Sequence, residues 1–511
     1  MPAGRRDWDA IVVGGGHNGL TCAAYLARAG MRTLVLEARA RLGGACTLAR
    51  PFPDERYVIS PCAYVVGLLH PLVIGELDLR RHGFRVHVID PHLWCPFDDG
   101  SALRLWDRPD QNRDEVARLS PSDVEGYMRY ENLFARIRRA VRSTERDLWL
   151  GDAPERAEIE EALHGERDLI GALFDDSIAD VVERHVRDDR LRTALHGQGL
   201  IGTWAGPRDP GTASIHAMHS MGTIEGRGGA WGYVAGGMGT VSLALAAAAR
   251  EAGAVLVEGT PVGAIEENAV VLDDGTRLHA RAVISNADPR TTLDLCGDLA
   301  PESFRARVEA WRMEGPVIKL NCGLRRLPTF TAAQPGEHPE RAMVTIARSI
   351  DETQAAYERS RTGEPAPVWA EVYFQSAYDP SVAPPGKHVM SVFAQYAPYD
   401  VAGATWEARR EPVADAVINE IARFAPDIDD CIEHRQVLSP PDIEREVGLG
   451  GGHIFQGECL PEQMWRNRFT PRTPIPGVYM CGAATHPGGS VIAANGRNAA
   501  MAVIADAPRR A

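Results

Sequence analysis

Hydrophobic positions fall along this chain in three patterns, and each predicts a different kind of element. The first is the uninterrupted apolar run. Residues 10–13 (AIVV), 282–285 (AVIS) and 477–482 (GVYMCG) have this form, which suits strands buried on both faces of a parallel sheet. The second is the Ala- and Leu-rich run of helical length, seen in residues 20–29 (LTCAAYLARA, closed by Gly30) and 241–252. Residues 32–36 and 253–258 read as the strands that follow these helices. The third is a hairpin pattern over residues 269–277, with Asp274-Gly275 in the turn. Strand, helix and strand in succession predict an α/β fold. Two long stretches stand apart from this pattern. Residues 76–228 are charged and helical in pattern, and their charge runs read as solvated faces. Residues 296–440 mix strand-like runs (PVIKLNCGL, PVWAEVYFQ, HVMSVFAQY) with a helix (EPVADAVINEIARF).

Composition narrows the class. A chain of 511 residues that is 44% hydrophobic has material for more than one core or one large composite fold. Its 55 basic residues stand against 69 acidic ones, a net charge of −14 that argues against general nucleic-acid binding. Lys319 and Lys387 are its only lysines. Nine scattered cysteines form no C-x-x-C pair, so neither a redox dithiol nor a Cys-rich zinc site is indicated, and reduced cytosolic thiols are expected. No signal-peptide pattern precedes the first strand, and the apolar stretch 57–77 is broken by Pro61, His70 and Pro71. The expectation is a cytoplasmic protein without a transmembrane segment, with peripheral membrane contact left open.

The first strand runs straight into Gly14-Gly15-Gly16-His17-Asn18-Gly19, a G-x-G-x-x-G turn. Gly14 allows the tight turn, Gly16 lets backbone approach a pyrophosphate, and Gly19 lets the helix pack close to the strand. The helix start then offers free N–H groups and a partial positive charge to phosphates. Glu37 ends the second strand, placed to accept hydrogen bonds from an adenosine ribose. Strand, glycines, helix, strand and acid in this order predict a bound dinucleotide.

Ala38-Arg39 and Gly43-Gly44 follow at once, in a segment that resembles the arginine and glycine-doublet motif of large two-domain flavoproteins. The motifs GGGHNGLTCAAYLARAG, RLGGACT, SPCAYVVGLLHP, GAWGYVAGGMG, ISNADP and YMCGAATHPGGSVIAANGRNA together resemble the phytoene desaturase-like FAD-dependent oxidoreductases. Within these the chain is most similar to the pyridine nucleotide-disulfide oxidoreductase domain-containing group, in the amine oxidase/desaturase superfamily. The resemblance spans essentially the whole chain. It implies a discontinuous Rossmann-type FAD-binding domain with an inserted α+β substrate domain. The first is expected from residues 1–75, 229–295 and 441–511, the second from 76–228 and 296–440. It also implies FAD as cofactor, with Val262 gripping the adenine through its backbone. Gly482, Gly489, Ser490 and Val491 would then lie at the flavin, where Gly488 and Gly489 open a final helix. Ala45 stands where many amine oxidase relatives have Arg, and Ala483 where other two-nucleotide flavoproteins have Asp; both fit the desaturase-like branch.

The chemistry-bearing candidates outside the cofactor motifs are few. His486, beside the expected flavin helix, either transfers a proton or packs its loop. His216 and His219, three apart on a helical segment, are candidates to face a cavity, with His219 joining His486 as a candidate catalytic residue; no third ligand accompanies them, so no metal is expected. Trp231, Phe455 and Trp465 are candidates for an apolar substrate wall, with ordinary core aromatics as the alternative. Lys319 either reaches toward the flavin or buries its stem for structure. The leading functional expectation is hydride removal from, or isomerisation of, an apolar or amphipathic small molecule, with desaturase-like C=C chemistry. The sequence shows neither a second nucleotide fold nor a redox Cys pair, so dioxygen, a quinone or another carrier is expected to take the electrons. Oxidation of a C–N bond, as in flavin amine oxidases, is the alternative. A non-catalytic binding protein on the same architecture is the third reading, opposed by the intact glycine turn, Glu37 and the complete C-terminal segment.

Overall fold

Ala10, Ile11 and Val12 are fully buried, so their strand needs a sheet covered on both sides. In the computed structural model, which describes residues 8–508, Trp8–Val13 pairs in parallel with Thr33–Leu36 and with Arg277–Ser285. The seven-stranded sheet runs Val262–Glu266, Ala269–Leu272, Arg277–Ser285, Trp8–Val13, Thr33–Leu36, Val255–Val257, with Val478–Met480 added in parallel to Arg277–Ser285. Helices His17–Arg28, Gly239–Glu251 and Ala494–Asp506 cover one face through small residues such as Ala23, Ala24, Ala244 and Ala500. Their contact is tight: a Cβ on Gly496 would stand 2.1 Å from the Asn18 carbonyl oxygen. Ile11, Leu34 and Val283 pack on the other face against Trp311 and Phe469.

Arg277–Ser285 is longer than the apolar run 282–285 suggests, and its burial pattern gives the reason. Alternate side chains are exposed from Arg277 to Arg281, where the strand pairs antiparallel with Ala269–Leu272 and begins its parallel pairing, and all are buried from Ala282 onward. The sequence pattern therefore marks only the second half. Val262–Glu266, paired antiparallel with Ala269–Leu272, is a strand the pattern did not reveal.

A second seven-stranded sheet runs Ile432–Leu438, Ile318–Leu324, His388–Gln395, Trp369–Tyr373, Val344–Ile346, Leu93–Pro96, Ala102–Leu105. Its back face is apolar: Ile318, Leu320, Val392 and Ala394 meet Val417 and Ile421 of the helix Trp406–Ala422. Alternate residues must therefore face the other way, toward the nucleotide-binding unit. Leu93–Pro96 and Ala102–Leu105 correct the all-helical reading of residues 76–228. Each is four residues long, too short to impose a period on its charged surroundings. Val86–Val88, Thr223–Ile224 and Arg227–Gly228 are further short strands there, and the regular structure between residues 109 and 219 is helical, with Val124–Val141 and Ala213–His219 sharing one core.

The C-terminal helix starts at Ala494, not at the glycine doublet. Asn495 Nδ2 donates to the carbonyls of Thr485 (2.8 Å) and Gly488 (3.0 Å), which holds the intervening segment as a loop. Ser490, Val491 and Ala493 all adopt positive φ there, so no helix can include them. Among the described residues, no helix is long and apolar enough to cross a membrane.

Candidate active site

The two glycine segments near the N-terminus lie backbone against backbone. Gly14 has φ +100°, and the Gly43 N–H donates to the Gly15 carbonyl at 2.8 Å. A Cβ on Gly16 would stand 2.7 Å from Asn286 Nδ2, and one on Gly19 would meet the Gly14 carbonyl at 2.2 Å. Side chains are thus excluded where the helix His17–Arg28 begins. Its N-cap, Gly16, offers no side-chain cap, so first-turn N–H groups stay open to an anionic ligand. Asn18 lines the same cavity, and its buried Oδ1 has no hydrogen-bond partner. The Glu37 carboxylate accepts from the Gly15 N–H (2.7 Å) and the Arg39 N–H (2.9 Å), which fixes it and leaves lone pairs for a ribose diol. Ala38, Arg39 and Val262 line the cavity beside Glu37. The Gly259 and Thr260 N–H groups bind the carbonyls of Arg39 and Glu37, joining the two segments. A nucleotide cradle that a Cβ would fill, an orphaned amide oxygen and a fixed carboxylate together fit FAD.

From this cradle the cavity, about 730 Å³, continues past Gly43, Gly44 and Ala483 into the space over the second sheet. Ser490 and Val491 line it, in their positive-φ loop. Gly482 and Gly489 do a different job. A Cβ on either would strike a neighbour, Gln456 Oε1 at 2.6 Å or Phe455 at 2.6 Å, so these glycines permit packing behind the wall. Arg468, fully buried, holds that wall: it donates to the carbonyls of Phe455 (2.8 Å), Glu458 (2.8 Å) and Ala483 (2.7 Å).

Strand register builds the opposite wall. Lys319 pairs with Phe393, which pairs with Glu371, so three neighbouring strands present these side chains in one row toward the cavity. Asn321, Ser391 and Tyr373 form the next row on that face. Each ionisable group is held by a residue two positions along its own strand. Lys319 Nζ donates to Asn321 Oδ1 at 2.9 Å and also to Ser391 Oγ, and it lies 4.6 Å from the centre of the Tyr64 ring. The Tyr373 hydroxyl donates to Glu371 at 2.8 Å, and Gln198 Nε2 to its other oxygen at 3.2 Å. Burial lowers the Lys319 amine to about 7 and raises the Glu371 carboxyl to about 7.

The structure groups some of the sequence candidates and separates others. His219, Trp231 and Phe455 line the cavity together, with ring centres of His219 5.9 Å from Trp231 and 5.7 Å from Phe455. His219 Nδ1 bonds the Ile215 carbonyl at 2.9 Å, so it carries the proton and Nε2 keeps the lone pair; burial lowers the ring to about 4. His216 also lines the cavity, 3.9 Å from the Phe134 ring. His486 and Trp465 lie outside the lining. His486 is buried with Nε2 on the Leu148 carbonyl at 2.9 Å, and Trp465 packs in the helical core beside Met464 and Leu460. Lys319 lines the cavity, with its amine held by Asn321 and Ser391. Glu371 escaped the sequence reading; its signal is a polar residue on the strand face opposite the apolar one, in Glu371-x-Tyr373 as in Lys319-x-Asn321.

Comparisons with known proteins agree with this arrangement. The profile of the family "Flavin containing amine oxidoreductase" matches residues 19–504. The chain is 33% identical to the Mus musculus pyridine nucleotide-disulfide oxidoreductase domain-containing protein 2, over 98% of this chain and 94% of the relative. It is 24% identical to the lycopene-forming phytoene desaturase of a Paracoccus species, over 94% of each. A solved triple mutant of putrescine oxidase, 17% identical, superposes with a TM-score of 0.61 over 98% of this chain and 99% of that one, which shows a shared fold. The chain belongs to the flavin-containing amine oxidoreductase family and is an FAD-dependent oxidoreductase.

Proposed function

We propose that this enzyme dehydrogenates an apolar or amphipathic small molecule, forming or rearranging a C=C bond. The observation that carries this reading is the continuity of the cavity: it leaves the glycine cradle and opens among Phe134, Trp231, Phe393, Ile454 and Phe455. Likeness to a phytoene desaturase supports the same class. In this reading the Gly14–Gly19 turn and the first-turn N–H groups of His17–Arg28 hold the pyrophosphate, with His17 and Asn18 at its edge. Glu37 takes the ribose, Ala38, Arg39 and Val262 flank the adenosine, and Gly43, Gly44, Ser490 and Val491 border the flavin. Bound FAD supplies a two-electron acceptor. The aromatic and aliphatic wall orients the substrate and excludes water, which strengthens the fixed polar groups of the chamber. Dioxygen, a quinone or another carrier then takes the electrons.

Amine oxidation is the second reading, favoured by the family profile and by Tyr64 and Tyr373, whose rings lie 4.9 Å apart beside Glu371 and could receive an amine. Anaerobic incubation of the FAD-loaded enzyme with apolar olefins and with primary amines separates the two. Flavin bleaching by an olefin, with a product two hydrogens poorer, is the expected result. Bleaching by amines alone, with aldehyde release, would replace this reading by the second.

A further inference from the structure

We propose that Glu371 accepts the proton that the substrate releases when its C=C bond forms, an inference that rests on the dehydrogenation reading above. Loss of two hydrogens from adjacent carbons breaks two C–H bonds. One hydrogen leaves as hydride with its electron pair and reduces FAD. The other leaves as a proton, its bonding pair becomes the new π bond, and the oxidised substrate needs a base beside it. The Glu371 carboxylate takes that proton and becomes a carboxylic acid.

Placement supports this role. Glu371 lines the cavity and is 2% exposed, so bulk water does not compete for the proton. It lies two strands from Lys319 with Phe393 between them, a span of about 10 Å, and no ion pair within 4 Å involves it among the described residues. Its oxygens accept from Tyr373 and Gln198, with the Tyr64 hydroxyl a third donor to the same carboxylate, and a carboxylate has lone pairs to spare. A short chain of contacts links it to the glycine doublet: the Ala63 N–H bonds the Ala45 carbonyl at 3.1 Å, and the next residue, Tyr64, packs its ring on Tyr373 and under Lys319. The other titratable groups nearby suit the task less well. His216 and His219 are lowered by burial to about 3 and about 4, so they are weak bases. Burial pushes the phenols of Tyr64, Tyr373 and Tyr233 upward, and the Lys319 amine is engaged by Asn321 and Ser391. Glu371, raised by burial to about 7, can both hold and release a proton near neutrality.

The test uses the FAD-loaded protein and dicyclohexylcarbodiimide, an apolar reagent that modifies carboxyl groups only in their protonated form. Peptide mass analysis should find Glu371 modified at about pH 5, with at least a tenfold lower extent at about pH 9. Glu371→Gln should lose the modification yet keep its flavin, while Lys319→Met should keep both. With a substrate that bleaches the wild-type flavin, Glu371→Gln should be reduced about a hundredfold more slowly, with partial recovery in Glu371→Asp. The labelling needs no substrate, so it is independent of the dehydrogenation reading. Glu371 unmodified at every pH, modified equally throughout, or replaced by Gln without slowing flavin reduction would each overturn the proposal.

Discussion

Glu371 and Lys319 should leave opposite marks on stability. The Glu371 carboxyl is raised from 4.5 to about 7 on folding, so between those values the folded protein binds the extra proton. Its favourable contribution is complete below about 4.5 and is lost as pH rises through 7. The Lys319 amine is lowered from 10.5 to about 7, so in that window the unfolded chain binds the extra proton. Stability therefore rises with pH there, and the cost of burying the ammonium is full below about 7. Relative to the wild type, Glu371→Gln should gain up to about 3 kcal/mol as pH rises from 4.5 past 7. Lys319→Met should gain a comparable amount as pH falls through 10 toward 7. Urea unfolding at a series of pH values measures both, and a pH-independent difference would contradict the assigned environments. At this scale the sequence was legible only in part. Lys319 stands out because lysine is so rare here, whereas Glu371 is one of 69 acidic residues. What distinguishes it is the strand face it occupies, and that is fixed by the helix Trp406–Ala422 covering the other side.

Among elements, the loop between Thr485 and Ala494 has the most consequence for function. The glycine doublet in HPGG resembles a helix opening, yet the helix waits for Ala494, because Asn495 turns back to hold the carbonyls of Thr485 and Gly488. Local spacing could not reveal that clamp. Asn495→Ala would strip two buried carbonyls of their donor and should cost about 1–3 kcal/mol of stability. It should also weaken FAD binding about tenfold, since Ser490 and Val491 lie on the released loop. Thermal unfolding and FAD titration would record the two effects; unchanged FAD affinity would show that the loop does not border the cofactor. Elements elsewhere were easier to read. The strand–turn–helix at the N-terminus is dictated within about 30 residues, and the later nucleotide-domain strands carry the same continuous apolar signal.

For the whole molecule, one cavity joins a dinucleotide cradle to a chamber built on the second sheet. FAD should bind the folded state alone, because the segments proposed to hold it lie hundreds of residues apart. At a free concentration a hundredfold above Kd it should therefore stabilise the protein by about 3 kcal/mol, seen as a rise in Tm. The glycine turn made the dinucleotide legible from a dozen residues, but the joining of cradle and chamber depends on pairings between distant strands. The most direct measurement is the FAD content of purified wild type and Gly16→Val. The wild type should carry about one FAD per chain, and the variant, folded by circular dichroism, less than about a tenth of that, since its side chain would occupy the pyrophosphate approach. Full FAD occupancy in Gly16→Val would contradict the cofactor site described here.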